Sequence, residues 1–205
     1  MAAAAATGAA DAVDTYGQPQ VTATVHATIM VGSLGAYIAS LCLRATRPAS
    51  RAPAIALSLL GYAGVTAGAY VGGDLVYRLG NMVDRHAFTE RGSARWRKLD
   101  VSDVPEGQIV RAAMGKVPLA LWRDGDDVFA LHAVCAHEGG PLEKGTLVDG
   151  GCIQCPWHGS RFRWADGHVV RGPAVYDQPA YEVRRTGDGG LEARLLQVGA
   201  AGTEP

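Results

Sequence analysis

Two long stretches of the chain carry no formal charge. Val25 to Leu43 is nineteen residues with His26 as its one titratable side chain besides Tyr37 and Cys42, and Ala54 to Gly73 is twenty residues with none but tyrosines. At about 1.5 Å per residue, a helix of either length spans roughly 30 Å, the thickness of a bilayer core. Neither run offers a polar face to water, and Arg44-Ala45-Thr46-Arg47-Pro48-Ala49-Ser50-Arg51 joins them as a short basic turn. The pattern predicts a transmembrane hairpin within residues 21–80, with helices over 25–43 and 54–76. A buried soluble helical pair is the alternative, because both runs are rich in Ala and Gly.

Past the second run the pattern changes. Residues 81–94 include Asp84, Arg85, His86, Glu90 and Arg91 with Gly92 and Ser93, and read as a polar linker. From Trp96 onward, short β-type runs are cut by Gly, Pro and Asp. Expected strands are Trp96–Leu99, Gln108–Ala113, Val117–Trp122, Val128–Ala133, Thr146–Val148, Cys152–Gln154, Phe162–Trp164, His168–Val170, Tyr181–Thr186 and Leu191–Leu196. Asp124-Gly125-Asp126 and Gly187-Asp188-Gly189-Gly190 mark hairpin turns. The result is an all-β domain of antiparallel sheets over 95–198, long enough to bury a core. Residues 1–20, Ala-rich and free of Lys and Arg, read as a tail rather than a secretion signal, and 199–205 as a second tail.

Charge and composition narrow the function. With 19 Lys and Arg against 20 Asp and Glu and no dense basic tract, the chain is not built for nucleic acid. Gly64, Gly68 and Gly72 line one face of the second helix, and Gly32, Ala36 and Ser40 share that spacing on the first. Such rows admit close backbone approach, here within the hairpin or between subunits of a homo-oligomer. Of four cysteines, Cys42 and Cys152 read as unpaired, Cys152 as a small core residue on a strand.

The chemistry sits in two short groups, Cys135-Ala136-His137 and Cys155-Pro156-Trp157-His158, with seventeen residues between His137 and Cys155. Two Cys and two His also make a structural zinc site. Zinc usually groups Cys with Cys and His with His, whereas each group here mixes the two. The flanks Glu138-Gly139-Gly140-Pro141-Leu142 and Gly159-Ser160-Arg161-Phe162 complete the pattern. Over about residues 95–198 it resembles the Rieske [2Fe–2S] family, in which two Cys hold one iron and two His the other.

That resemblance implies a [2Fe–2S] cluster held by Cys135, His137, Cys155 and His158 on two loops at one exposed tip. The glycines after the histidines, Gly139 and Gly159, are expected to turn the backbone so that N–H groups point at sulfur. Gly172-Pro173-Ala174 resembles the proline loop that covers the cluster, which places Pro173 beside it. Respiratory-complex members link their loops by a disulfide, and the matching positions here are Gly140 and Trp157. Their Ser hydroxyl is matched by Ser160, and their Tyr by Phe162. The ferredoxin type and the lower half of the Rieske range of roughly −150 to +300 mV are therefore expected. Lys144, Arg161 and Arg163 are candidates for a basic docking rim, with ordinary solvated charges as the alternative.

A looser resemblance covers His26-Ala27, the basic turn, and Gly72-Gly73-Asp74-Leu75-Val76-Tyr77-Arg78-Leu79-Gly80. These resemble the last two helices of a small bacterial membrane domain of unknown function, usually of four helices. By that likeness the chain lacks the first pair, being either naturally short or started late. His26 and His86 also invite a haem reading. The leading functional expectation is a membrane-tethered carrier of single electrons, with redox proteins as donor and acceptor. The alternatives are a ferredoxin component of an oxygenase or nitrite reductase system and a membrane redox sensor. A self-contained oxygenase would need a further iron domain. Basic residues are balanced on the two sides, three in the turn (Arg44, Arg47, Arg51) and three after the second helix (Arg78, Arg85, Arg91). Clusters are inserted in the cytoplasm and no twin-Arg signal stands in the sequence, so the expectation is a cell-membrane protein with its cluster domain inside.

Overall fold

The computed structural model describes residues 7–8, 12, 15–47, 49 and 51–196. The expected tails lie largely or wholly outside the described residues. The chain divides into two compact units, residues 1–79 and 80–205.

The first unit is a helical hairpin of α1 (Gln18–Thr46) and α2 (Arg51–Tyr77). Helix α1 begins seven residues before the uncharged run because helix formation needs no hydrophobicity: Pro19 sits in its first turn, where a missing N–H costs nothing. Hydroxyls of Thr22, Thr24, Thr28, Ser33, Thr46 and Thr66 donate to carbonyls four residues back, which removes their donors from the surroundings. The glycine row packs inside the hairpin. A Cβ at Gly64 would collide with the Ser33 hydroxyl, one at Gly68 would lie 2.7 Å from Met30 Sδ, and one at Gly72 would lie 3.0 Å from His26. Polar groups line this seam: Ser40 Oγ donates to Ala54 O at 2.6 Å, and His26 Nδ1 bonds Gly68 O at 2.8 Å. Outside are Val31, Leu34, Ile38, Leu41, Leu59 and Leu60, all exposed. Polar seam and apolar exterior reverse the order of a water-soluble helical pair.

The second unit is all β. One antiparallel sheet has six strands in the order β1-β10-β9-β4-β3-β2, and the other has four in the order β5-β6-β7-β8. The large sheet comprises β1 (Arg97–Lys98), β2 (Ile109–Met114), β3 (Val117–Asp124), β4 (Asp127–His132), β9 (Ala180–Arg185) and β10 (Leu191–Leu195). The small one comprises β5 (Thr146–Val148), β6 (Cys152–Gln154), β7 (Arg161–Arg163) and β8 (Val169–Arg171). Alternation along β3 and β4 covers both faces of the large sheet. Leu119, Leu121 and Ala130 enter one core with Val104, Met114, Tyr181 and Leu191. Ala120 and Leu131 enter the other with Leu142, Ile153, Phe162 and Trp164, where the small sheet packs. Trp122 stacks on Phe129 at 5.5 Å and meets Trp164 at 5.7 Å.

Residues 81–94, expected to be a linker, belong to the β unit. Arg85 N donates to Ala136 O at 2.9 Å and Leu195 N to Ser93 O at 2.8 Å. Tyr181 Oη donates to Arg91 O at 2.6 Å. His86 is buried edge-on against His132, with ring centroids 4.3 Å apart. His86 is engaged inside the β unit, its Nε2 donating to Val134 O at 2.8 Å.

Candidate metal centre

Two loops of like construction carry the candidate ligands, one after β4 and one between β6 and β7. Each Cys closes its own loop through both backbone groups. Cys135 N donates to Gly140 O at 2.8 Å and Gly139 N to Cys135 O at 2.9 Å. Cys155 N donates to Ser160 O at 2.8 Å and Gly159 N to Cys155 O at 3.2 Å. Closure needs a left-handed residue at the fourth step after each Cys, and Gly139 (φ 83°) and Gly159 (φ 75°) supply it. The turned backbone points N–H groups at sulfur, as expected, and the groups that do so precede the glycines. Backbone donors to Cys135 come from His137 and Glu138, and those to Cys155 from Trp157 and His158.

Gly140 is glycine for another reason. A Cβ there would lie 2.8 Å from Cys155 Sγ and 3.1 Å from Trp157 Cδ2. Gly140 and Trp157 thus face each other across the two loops. The third loop closes over Ser160, a fully buried hydroxyl that accepts from Ala174 N at 3.0 Å, one residue past the cis Gly172–Pro173 bond. Its oxygen being used as acceptor, the Ser160 proton is available to a neighbouring acceptor.

The four candidates meet as two pairs. The Cys135 and Cys155 thiols lie beside each other: a hydrogen bond between them, and then burial, push Cys135 up, while that bond pulls Cys155 down to about 7. The His137 and His158 rings stand edge to face, centroids 5.0 Å apart. Burial, and then the neighbouring His158, lower the pKa of His137, which favours the neutral imidazole a metal needs. His137 Nδ1 is buried without a hydrogen-bond partner, a donor atom with nothing in the protein to satisfy it. Among the described residues no three His, Cys, Asp or Glu side chains converge on one point, as a single tetrahedral zinc would require. A thiol pair and an imidazole pair carried by the same two loops are a donor set that fits two irons, one for each pair.

The exposed-tip expectation needs amendment. His137 is only 7 % exposed; His158 is half-buried, and beside it Trp157 is the exposed side chain. The basic rim is weaker than its sequence suggested. Arg163 is held by Asp166 at 2.6 Å and Arg161 Nε by Gln154 Oε1 at 2.8 Å, while Lys144 is exposed. No motif marks the buried polar hub behind the first loop, His86, His132 and Gln178. Gln178 Oε1 accepts from Ala136 N at 2.8 Å, and its Nε2 donates to His132 O and Val134 O. Burial drives the imidazoles of His86 and His132 down to about 4 and 3, so both are neutral.

Fold and site together define a Rieske [2Fe–2S] domain, and the model of the family so described matches residues 96–182. Ferredoxin CarAc of Metapseudomonas resinovorans is 37% identical over 43% of this chain and 83% of its own. The anthranilate 1,2-dioxygenase ferredoxin subunit of Burkholderia cepacia is 30% identical over 52% of this chain and 98% of its own. Among solved structures, the ferredoxin of carbazole 1,9a-dioxygenase from Nocardioides aromaticivorans IC177 is 25% identical, with TM-score 0.44, over 48% of this chain and 96% of its own. The chain belongs to the Rieske ferredoxin family, and its cofactor is a [2Fe–2S] cluster.

Proposed function

We propose that the protein is a membrane-anchored carrier of single electrons. Cys135 and Cys155 hold one iron, His137 and His158 the other, and Trp157, Gly139, Ser160 and Pro173 surround the cluster. The observation that carries this reading is that the two loops bring the two thiols together and the two imidazoles together, with an unsatisfied nitrogen in the latter pair. When bound, the cluster would supply one-electron chemistry. The protein's residues hold the imidazoles neutral, aim backbone N–H groups at the thiolates and offer the half-buried His158 edge to a partner.

Anchoring rests on the hairpin. Both helices are long and apolar enough to cross a bilayer, and their exposed faces are the apolar ones. Membrane lipid is the medium such a surface requires. The electron donor and acceptor are redox proteins, with the cluster domain on the cytoplasmic face of the cell membrane. A second reading, a ferredoxin component serving an oxygenase, is favoured by the Burkholderia cepacia relative, whose name describes that role.

Two measurements test this. The Rieske EPR signal should stay with the membranes after an alkaline carbonate wash; a signal in the wash ends the anchoring proposal. In a Cys42→Ala background, a cysteine placed in the Gly187–Gly190 turn should resist an impermeant maleimide in intact cells. Ready labelling would put the domain outside.

Ser160→Ala should lower the midpoint potential. Its hydroxyl proton favours the more negative, reduced cluster, and a differential of about 1 kcal/mol corresponds to ~40 mV for one electron. An unchanged potential in a redox titration would mean that the proton points elsewhere.

A further inference from the structure

Gln178 is 2 % exposed, and its side chain brackets a candidate ligand. Its Oε1 accepts from Ala136 N at 2.8 Å, on the residue after Cys135. Its Nε2 donates to Val134 O at 2.6 Å, on the residue before Cys135, and to His132 O at 2.7 Å. One amide thus holds the backbone on both sides of a thiol. Its orientation is fixed, because a flipped amide would set donor against donor at Ala136 and acceptor against acceptor at the two carbonyls.

The backbone of Gln178 is anchored elsewhere. Gln178 N donates to Gly167 O at 2.8 Å, in the turn between β7 and β8. A Cβ at Gly167 would collide with Gln178 O, so the two segments meet backbone to backbone. Asp177 Oδ1 accepts from Val169 N at 2.8 Å and fixes the neighbouring residue to β8. The side chain therefore carries the position of the small sheet to a loop that leaves the large one.

The partner of Ala136 N matters to the sulfur. Three successive amides follow Cys135. The first is drawn to Gln178, and the next two, of His137 and Glu138, face the Cys135 thiol. N–H groups aimed at sulfur favour the more negative, reduced cluster.

We propose that Gln178 is a positioning residue for the first cluster loop: by taking Ala136 N it keeps the following two amides aimed at Cys135, and so it slows metal loss and holds up the cluster's potential. The inference rests on the four-ligand reading given above.

The test is a redox titration of the full chain in detergent, followed by the Rieske EPR signal, beside the rate of iron loss to a chelator. Gln178→Met keeps the length of the side chain and removes its bonds to Ala136, Val134 and His132. Iron loss should be about tenfold faster, as for other groups that orient a ligand. Reduction should be about threefold less favourable, a fall of ~30 mV for one electron. Gln178→Asn keeps an amide on a shorter reach and should move both readouts the same way by less, which keeps the proposal testable if Gln178→Met does not fold. Leu121→Val is the control, the loss of one methylene from the other core. It should lower the unfolding midpoint and leave iron loss and potential as in wild type. Iron loss in the Gln178 variants no faster than in Leu121→Val overturns the positioning role, and an unmoved potential overturns the aim at sulfur. A wild-type chain without a Rieske signal would instead fail the four-ligand reading, so the two failures are told apart.

Discussion

His137→Ala, or His158→Ala, should abolish the Rieske-type EPR signal and leave the purified protein without two irons and two labile sulfides. Each ring is one of only two nitrogen ligands in the proposed site, and Ala offers no replacement. Loss of a residue that merely orients a ligand already costs about 10–100-fold in metal affinity, so loss of the ligand itself should exceed that. The control is Cys152→Ser. Cys152 is buried on β6, with its thiol toward Gly150 O. That change should lower stability modestly and keep both irons. A His137→Ala protein with an intact signal, or a Cys152→Ser protein without one, would refute the ligand assignment.

Gly140→Val should also empty the site while sparing the fold. Gly139 and Gly140 adjoin but are constrained differently. Gly139 needs its left-handed φ, whereas Gly140 needs the space that a Cβ would take from Cys155 Sγ, 2.8 Å away. Overpacking of this kind typically costs about 1–3 kcal/mol. Here the atom that must move is a proposed ligand, so the cost should appear as lost cluster rather than lost β structure. Far-ultraviolet circular dichroism should match wild type while iron content falls. Gly140→Ala should fall between, and Trp157→Ala should not rescue it, since the sulfur and not the indole is nearest. Full iron content in Gly140→Val would mean that the loop backbone yields freely.

What was legible in the chain beforehand was local. The ligand groups are short and use residue types with few other reasons to stand together. Strand ends were legible because Gly and Asp turns mark them; Gly125 (φ 61°) turns β3 into β4 where the pattern placed it. What was not legible is made by distant pairing. Ala130 pairs with Tyr181, and Lys98 of the two-residue β1 with Glu192. Gln178, Arg85 and His86 have no motif of their own. They act only because β9 and the segment after α2 return to the same loop, so residues 81–94 read as linker. Helix α1 extends beyond its uncharged run for a related reason, since hydropathy marks where a helix meets an apolar medium and not where its hydrogen bonds begin.

The three loops around the site lock one another in a ring. The first meets the second where Gly140 faces Trp157, the second meets the third at Ser160 and Ala174, and Gln178 ties the chain beyond the third back to the first at Ala136. Opening any one edge loosens the other two, so the amides of Cys135, Ala136, Cys155 and Ala174 should exchange with solvent as one cooperative unit. For biogenesis, a ready-made cluster handed over by a donor must arrive before this ring shuts, or wait for all of it to open together.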